Sequence, residues 1–95
     1  MDSNFTVDGS TLTATGEIDI SCGAAFQSAL DAAISAAGTE PVTIRMSGVS
    51  FIDSSGLRVL LGAQSSGRQI IIGQPSAAVS RLLEITATDA LFTIQ

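Results

Sequence analysis

Ninety-five residues suffice for one hydrophobic core and no second one, since a chain of this length buries only roughly 60–65% of its unfolded surface. An apolar content of 45% excludes a disordered acidic tail. A formal net charge of −5, from nine acids against four arginines, excludes the cationic patch that nucleic acids or anionic membranes require.

One domain spanning residues 1–95 is therefore expected, with no nucleic-acid partner and no membrane insertion. The side-chain inventory narrows the chemistry further. Without histidine or lysine, a Ser-His-Asp triad, an imidazole metal site, a Schiff base and a lysine-bearing phosphate loop are all ruled out. No catalytic set, metal or cofactor is expected. Tryptophan and tyrosine are also absent, which removes the usual stacking platforms. The single cysteine, Cys22, forms no internal disulfide and suits a reducing compartment. Met1-Asp2-Ser3-Asn4 is polar and acidic where a signal peptide is basic and then apolar, so a cytoplasmic location is expected.

Along the chain, Phe5 and Val7 alternate with polar neighbours until Asp8-Gly9, a hairpin signal, and Thr11 to Thr15 returns as a strand that Gly16-Glu17-Ile18-Asp19 leaves. From Ser21, a candidate N-cap, the period becomes helical. Phe26, Leu30 and Ile34 recur every four residues, and Gly38 is a candidate stop. Val42 to Met46 alternates as a strand, followed by a turn through Ser47-Gly48. Leu57, Leu60, Leu61 and Gln64 mark a second helix starting at Ser54 or Ser55 and fading by Gly67. Gln69 to Gly73, with three consecutive isoleucines, reads as a strand buried on both faces. Pro75-Ser76 opens a third helix through Val79, Leu82 and Leu83, and Leu91 to Ile94 closes the chain as a strand. The fold class is α/β: a mixed sheet of about five strands, with Val42–Met46 and Gln69–Gly73 inside it, and three main helices packed on it.

Phe51-Ile52-Asp53-Ser54-Ser55-Gly56-Leu57 bridges a strand and a helix, so Asp53, Ser54 and Ser55 surround a helix N-terminus with its free amides and positive dipole end. In the plainest reading Asp53 or Ser54 is an N-cap and nothing more. A nucleophile elbow is excluded because neither serine has a glycine two residues before it. Asp19 and Asp53 as an acid–base pair lack companion groups. Cys22 stands at a helix start with no cation or second cysteine beside it, and a structural role is expected.

Three segments, Gly16-Glu17-Ile18-Asp19, Ser47-Gly48-Val49 with Phe51 to Leu57, and Pro75 to Val79 with Arg81-Leu82-Leu83, resemble the STAS-domain anti-sigma factor antagonists in order and spacing. The resemblance spans nearly the whole chain. It implies a small STAS-like domain that binds an anti-sigma factor with serine-kinase activity and so frees a sigma factor. It also implies phosphorylation of Ser55, the serine directly before Gly56, which ends the association until a phosphatase restores it. The partner-binding residues so implied are Asp19, Asp53, Ser54, Ser55, Gly56 and Arg58. Arg45 departs from the acid common in the family, and is expected to alter a surface near the switch. The competing reading is a STAS subunit, not phosphorylated, that regulates or clamps an ABC-type transport complex.

Overall fold

In the computed structural model of the chain, which describes residues 3–95, a hairpin of β1 (Asn4–Asp8) and β2 (Thr11–Ile18) is followed by α1 (Gly23–Ala37), β3 (Val42–Ile52), α2 (Ser54–Ser65), β4 (Ile70–Gly73), α3 (Ala77–Ile85) and β5 (Thr93–Ile94). The reading of Met1 and Asp2 lies outside the described residues. The five strands form one mixed sheet in the order β1-β2-β3-β4-β5. Only β1 and β2 are antiparallel; every later pair is joined through a helix and runs parallel.

The period-two and period-3.6 patterns locate the elements, and the differences lie at their ends. The hairpin pairs Asp8 with Thr11, so its two-residue loop is Gly9-Ser10 rather than Asp8-Gly9. Gly9 supplies the positive φ of +60°. β2 does not end at Thr15 but continues to Ile18, paired along β3. The first helical turn is a separate 3-10 turn, Ile20–Cys22, whose N-cap is Asp19, not Ser21. Gly38, at φ +61°, does end α1. β5 is shorter than expected because Asp89–Leu91 forms a 3-10 turn.

The largest difference is β3. The turn expected at Ser47-Gly48 is strand, carried through two irregularities. Thr13 and Thr15 pair with Arg45 and Gly48, and Gly16 and Glu17 pair with Val49 and Phe51, so β3 holds an extra residue at each step. The surplus bends the strand without ending it. β4 pairs β3 only from Val42 to Arg45. Beyond that point α3 takes the vacant place beside β3, and the Ser76 amide donates to the Met46 carbonyl at 3.2 Å.

One face of the sheet carries the core. Leu12, Ala14, Ile44, Met46, Ile70 and Ile72 are buried on it beneath Phe26 and Leu30 of α1 and Leu57 and Leu60 of α2. Val79 and Leu83 of α3 close the same cluster. The alternate residues Thr11, Thr13, Thr15, Thr43 and Arg45 are not buried. Ile71, expected to be buried on an inner strand, is only half-buried on this other side. Arg45 is also there, exposed and seven residues before Ile52, well short of the strand end that bears the serines.

Gly48 tests the bulge directly. A Cβ at this position would lie 2.7 Å from Thr15 Cγ2. Gly48→Ala is expected to lose about 1–3 kcal/mol of unfolding free energy to overpacking. Adding Thr15→Ser removes that methyl and is expected to restore most of the loss in chemical denaturation. Equal stability of Gly48→Ala and the parent would contradict the close approach.

Candidate functional site

The last pair between β2 and β3 is Ile18 with Ile52, and the Asp53 amide donates to the Ile18 carbonyl at 3.2 Å. Asp19 and Asp53 therefore leave the sheet side by side, on strands about 4.8 Å apart. Each turns its carboxylate into its own cap. Asp19 Oδ1 accepts from the Ser21 amide at 2.9 Å and the Ser21 hydroxyl at 2.5 Å. Asp53 Oδ1 accepts from the Ser55 amide at 2.9 Å, the Ser55 hydroxyl at 2.5 Å and the Gly56 amide at 3.4 Å.

Asp53 is thus the N-cap of α2, and it satisfies two amides that the helix leaves open. The Ser55 hydroxyl, ahead of the Ser55 and Gly56 amides, holds the Asp53 carboxyl below its ordinary value of 3.8, against an opposing push from burial. Ser54 is exposed at the first helical position, Ser55 is half-buried at the second, and Arg58 is exposed one turn on. Gly56 is buried. A Cβ there would lie 2.8 Å from Ile52 Cγ1 and 2.9 Å from Ile18 Cγ2, so the helix start rests directly on the last strand pair. Gly56 therefore sets the height of Ser55 above the sheet and offers little surface itself.

Cys22 closes the neighbouring cap. Its buried thiol donates to the Asp19 carbonyl at 3.3 Å and accepts from the Asp19 amide at 3.3 Å. Among the described residues, no group of three or more His, Cys, Asp or Glu side chains is placed to hold a metal ion, and no helix is long and apolar enough to cross a membrane.

The pattern reading passed over an apolar groove of about 440 Å³ beside this edge. Phe51 and Ile52 form one wall, and Ala77, Ala78, Arg81, Leu82 and Ile85 of α3 the other. Phe51 is 47% exposed and Ile85 74%. A signal existed: alternation continued from Val42 puts Ile52 inward and Phe51 outward, but a turn at Ser47-Gly48 conceals it.

The profile of the family described as Mlab, STAS domain, matches residues 1–93, and the chain belongs to this STAS-domain family. Among solved structures, an anti-sigma factor antagonist from Mycobacterium paratuberculosis superposes with a TM-score of 0.80 at 20% identity, over 98% of this chain and 83% of that one. The unphosphorylated form of the anti-sigma factor antagonist SpoIIAA superposes with a TM-score of 0.64 at 18% identity, over 99% of this chain and 87% of that one. At these identities the likeness establishes the shared fold.

The depressed Asp53 pKa links the cap to stability. A carboxyl whose folded-state pKa lies below its unfolded value contributes stability above the unfolded value and loses it as pH falls through the folded one. Asp53→Asn keeps a capping side chain and removes the charge. Its stability deficit is expected to be full at pH 7 and to shrink as pH falls below 3.8. Urea denaturation from pH 7 to pH 3 reads this, and a deficit independent of pH would refute the charged cap.

Proposed function

We propose that the chain is an anti-sigma factor antagonist whose Ser55 is the phosphorylated switch. It binds an anti-sigma factor with serine-kinase activity in the cytoplasm, frees a sigma factor, and is released when that kinase modifies Ser55. A phosphatase resets it. The observation that carries this reading is the Ser55 hydroxyl, half-buried at the start of α2 and hydrogen-bonded to Asp53. Support also comes from the shared fold with two proteins that are anti-sigma factor antagonists, one of them described in an unphosphorylated form.

The chemistry of the switch follows from that hydrogen bond. Transfer from ATP forms the bond between Ser55 Oγ and the γ-phosphorus as the bond from that phosphorus to the ADP oxygen breaks. The hydroxyl proton passes to a base in the kinase. The ester oxygen that remains has no hydrogen to donate, so the contact with Asp53 Oδ1 is lost. A group of charge about −1.5 to −2 then stands beside the Asp53 carboxylate. The helix N-terminus favours an anion, so the fold tolerates the change. A partner that covered Ser55 must now desolvate like charges. Asp19, Asp53, Ser54 and Arg58 lie around Ser55 on the surface that such a partner would cover.

The second reading is a STAS subunit, not phosphorylated, of an ABC-type transport complex, which membership of the STAS-domain family accommodates equally. It requires no sensitivity to a charge at Ser55.

Four proteins separate the two readings. Ser55→Asp is expected to fold normally and to bind the anti-sigma factor at least about tenfold more weakly, which takes ~1.4 kcal/mol. Ser55→Ala binds and resists the kinase. Ser54→Ala remains a substrate and stays within about 0.5 kcal/mol of the parent's stability, since Asp53 is the cap. Phosphosite mapping by mass spectrometry and calorimetric affinities for these variants and the parent read the outcome. Phosphate found only on Ser54, or equal affinity for Ser55→Asp and the parent, would overturn the proposal.

A further inference from the structure

Helix α2 carries one charged residue in twelve, Arg58, at its fifth position and so in the N-terminal half of the helix. Helical arginines are commonly accommodated by an acid three or four residues away. Here those positions hold Ser54, Ser55, Leu61 and Gly62. Arg58 is exposed, and its guanidinium makes no ion pair or hydrogen bond among the described residues. The places that would hold its acid, on the N-terminal side where an acid is most effective, are the two serines.

The charges around Ser55 are otherwise unfavourable to a phosphate. Asp53 is two residues back on the same turn, and Asp19 leaves the neighbouring strand beside it. Arg58 is the cation that shares the first turns of α2 with Ser55.

We propose that Arg58 is the counter-ion of phosphorylated Ser55, folding back onto the phosphoryl oxygens when the serine is modified. This rests on the reading of Ser55 as the switch and states how the switch acts. In the unmodified protein Arg58 is free to meet an acidic group on the partner. In the modified protein the same guanidinium is held by the phosphate. One modification thus removes a cation from the contact surface and adds an anion to it.

The test uses the full chain with phosphoserine installed at position 55 during synthesis, so it needs neither kinase nor partner. The phosphorus resonance is titrated by NMR in the parent, Arg58→Gln and Arg58→Lys backgrounds at low and high salt. A free phosphoserine has its second pKa near about 6. Pairing lowers it, so the Arg58→Gln protein is expected to titrate about 0.5 unit above the parent at low salt, with Arg58→Lys between them. High salt should narrow the gap. The unmodified proteins should share one melting temperature, which separates pairing from a structural role. Identical phosphate pKa values in the parent and Arg58→Gln proteins, or a gap unchanged by salt, would overturn the proposal. A Ser55 that no kinase modifies would instead appear in the phosphosite mapping and overturn the functional reading alone.

Discussion

A single carboxylate oxygen, Asp53 Oδ1, accepts the Ser55 amide, the Ser55 hydroxyl and the Gly56 amide, and the start of α2 is organised around it. Its position follows from the strand below, because the Asp53 amide is tied to Ile18 and the next turn rests on Ile18 and Ile52 through a glycine with no room for a Cβ. The cap, the packing and the orientation of Ser55 are thus one arrangement. The hydrogen bond that fixes the serine hydroxyl is also the bond that the proposed phosphate transfer would break. A local stabilising contact and a candidate switch share the same atoms.

The neighbouring cap shows what is particular to Ser55. Asp19 and Ser21 repeat the hydrogen-bonding geometry of Asp53 and Ser55 almost atom for atom. There the chain enters a 3-10 turn before α1, and a buried cysteine thiol completes the box. At Asp53 the helix begins at once, with a buried glycine beneath it and the apolar wall of Phe51 and α3 alongside. Similar caps therefore sit in unlike surroundings. The difference is supplied by β3, which runs on to Ile52 past its last pairing with β4 at Arg45 and has α3 as its neighbour there.

Charge is distributed with the same economy. Arg68 donates to the carbonyls of Gly38 and Glu40, tying the turn after α1 to the turn before β4. Arg45 occupies the face of the sheet that the core leaves uncovered. Arg58 and Arg81 stand on the helices that follow β3 and β4, on a chain whose formal charge is −5. A surface beside Asp19 and Asp53 therefore carries both signs, and a phosphate introduced there would shift its balance toward the negative.

Much of this was written in the residue order. Periodicity placed three helices and the strand cores, because side chains repeat every two residues on a strand and about 3.6 on a helix. The segment from Phe51 to Leu57 identified a helix start bearing an acid and two serines, since such residues compete well for open amides. Other features depended on partners distant in sequence. Nothing in Ser47-Gly48 distinguishes a turn from a bulged strand; that was decided by Thr15, Gly16 and Glu17 pairing alongside. Nothing in Asp19 or Ser21 alone says which is the cap, and the carboxylate prevails because it accepts both the amide and the hydroxyl of the serine. The short pairing of β4, the seat of α3 against β3 and the contact of Gly56 with Ile18 and Ile52 likewise arise only when separate elements meet. Local pattern determined which segments are helix and strand and where the acid and serines fall, while tertiary packing decided how far each strand runs and which hydroxyl is held against Asp53, because register and close contact are properties of pairs of segments.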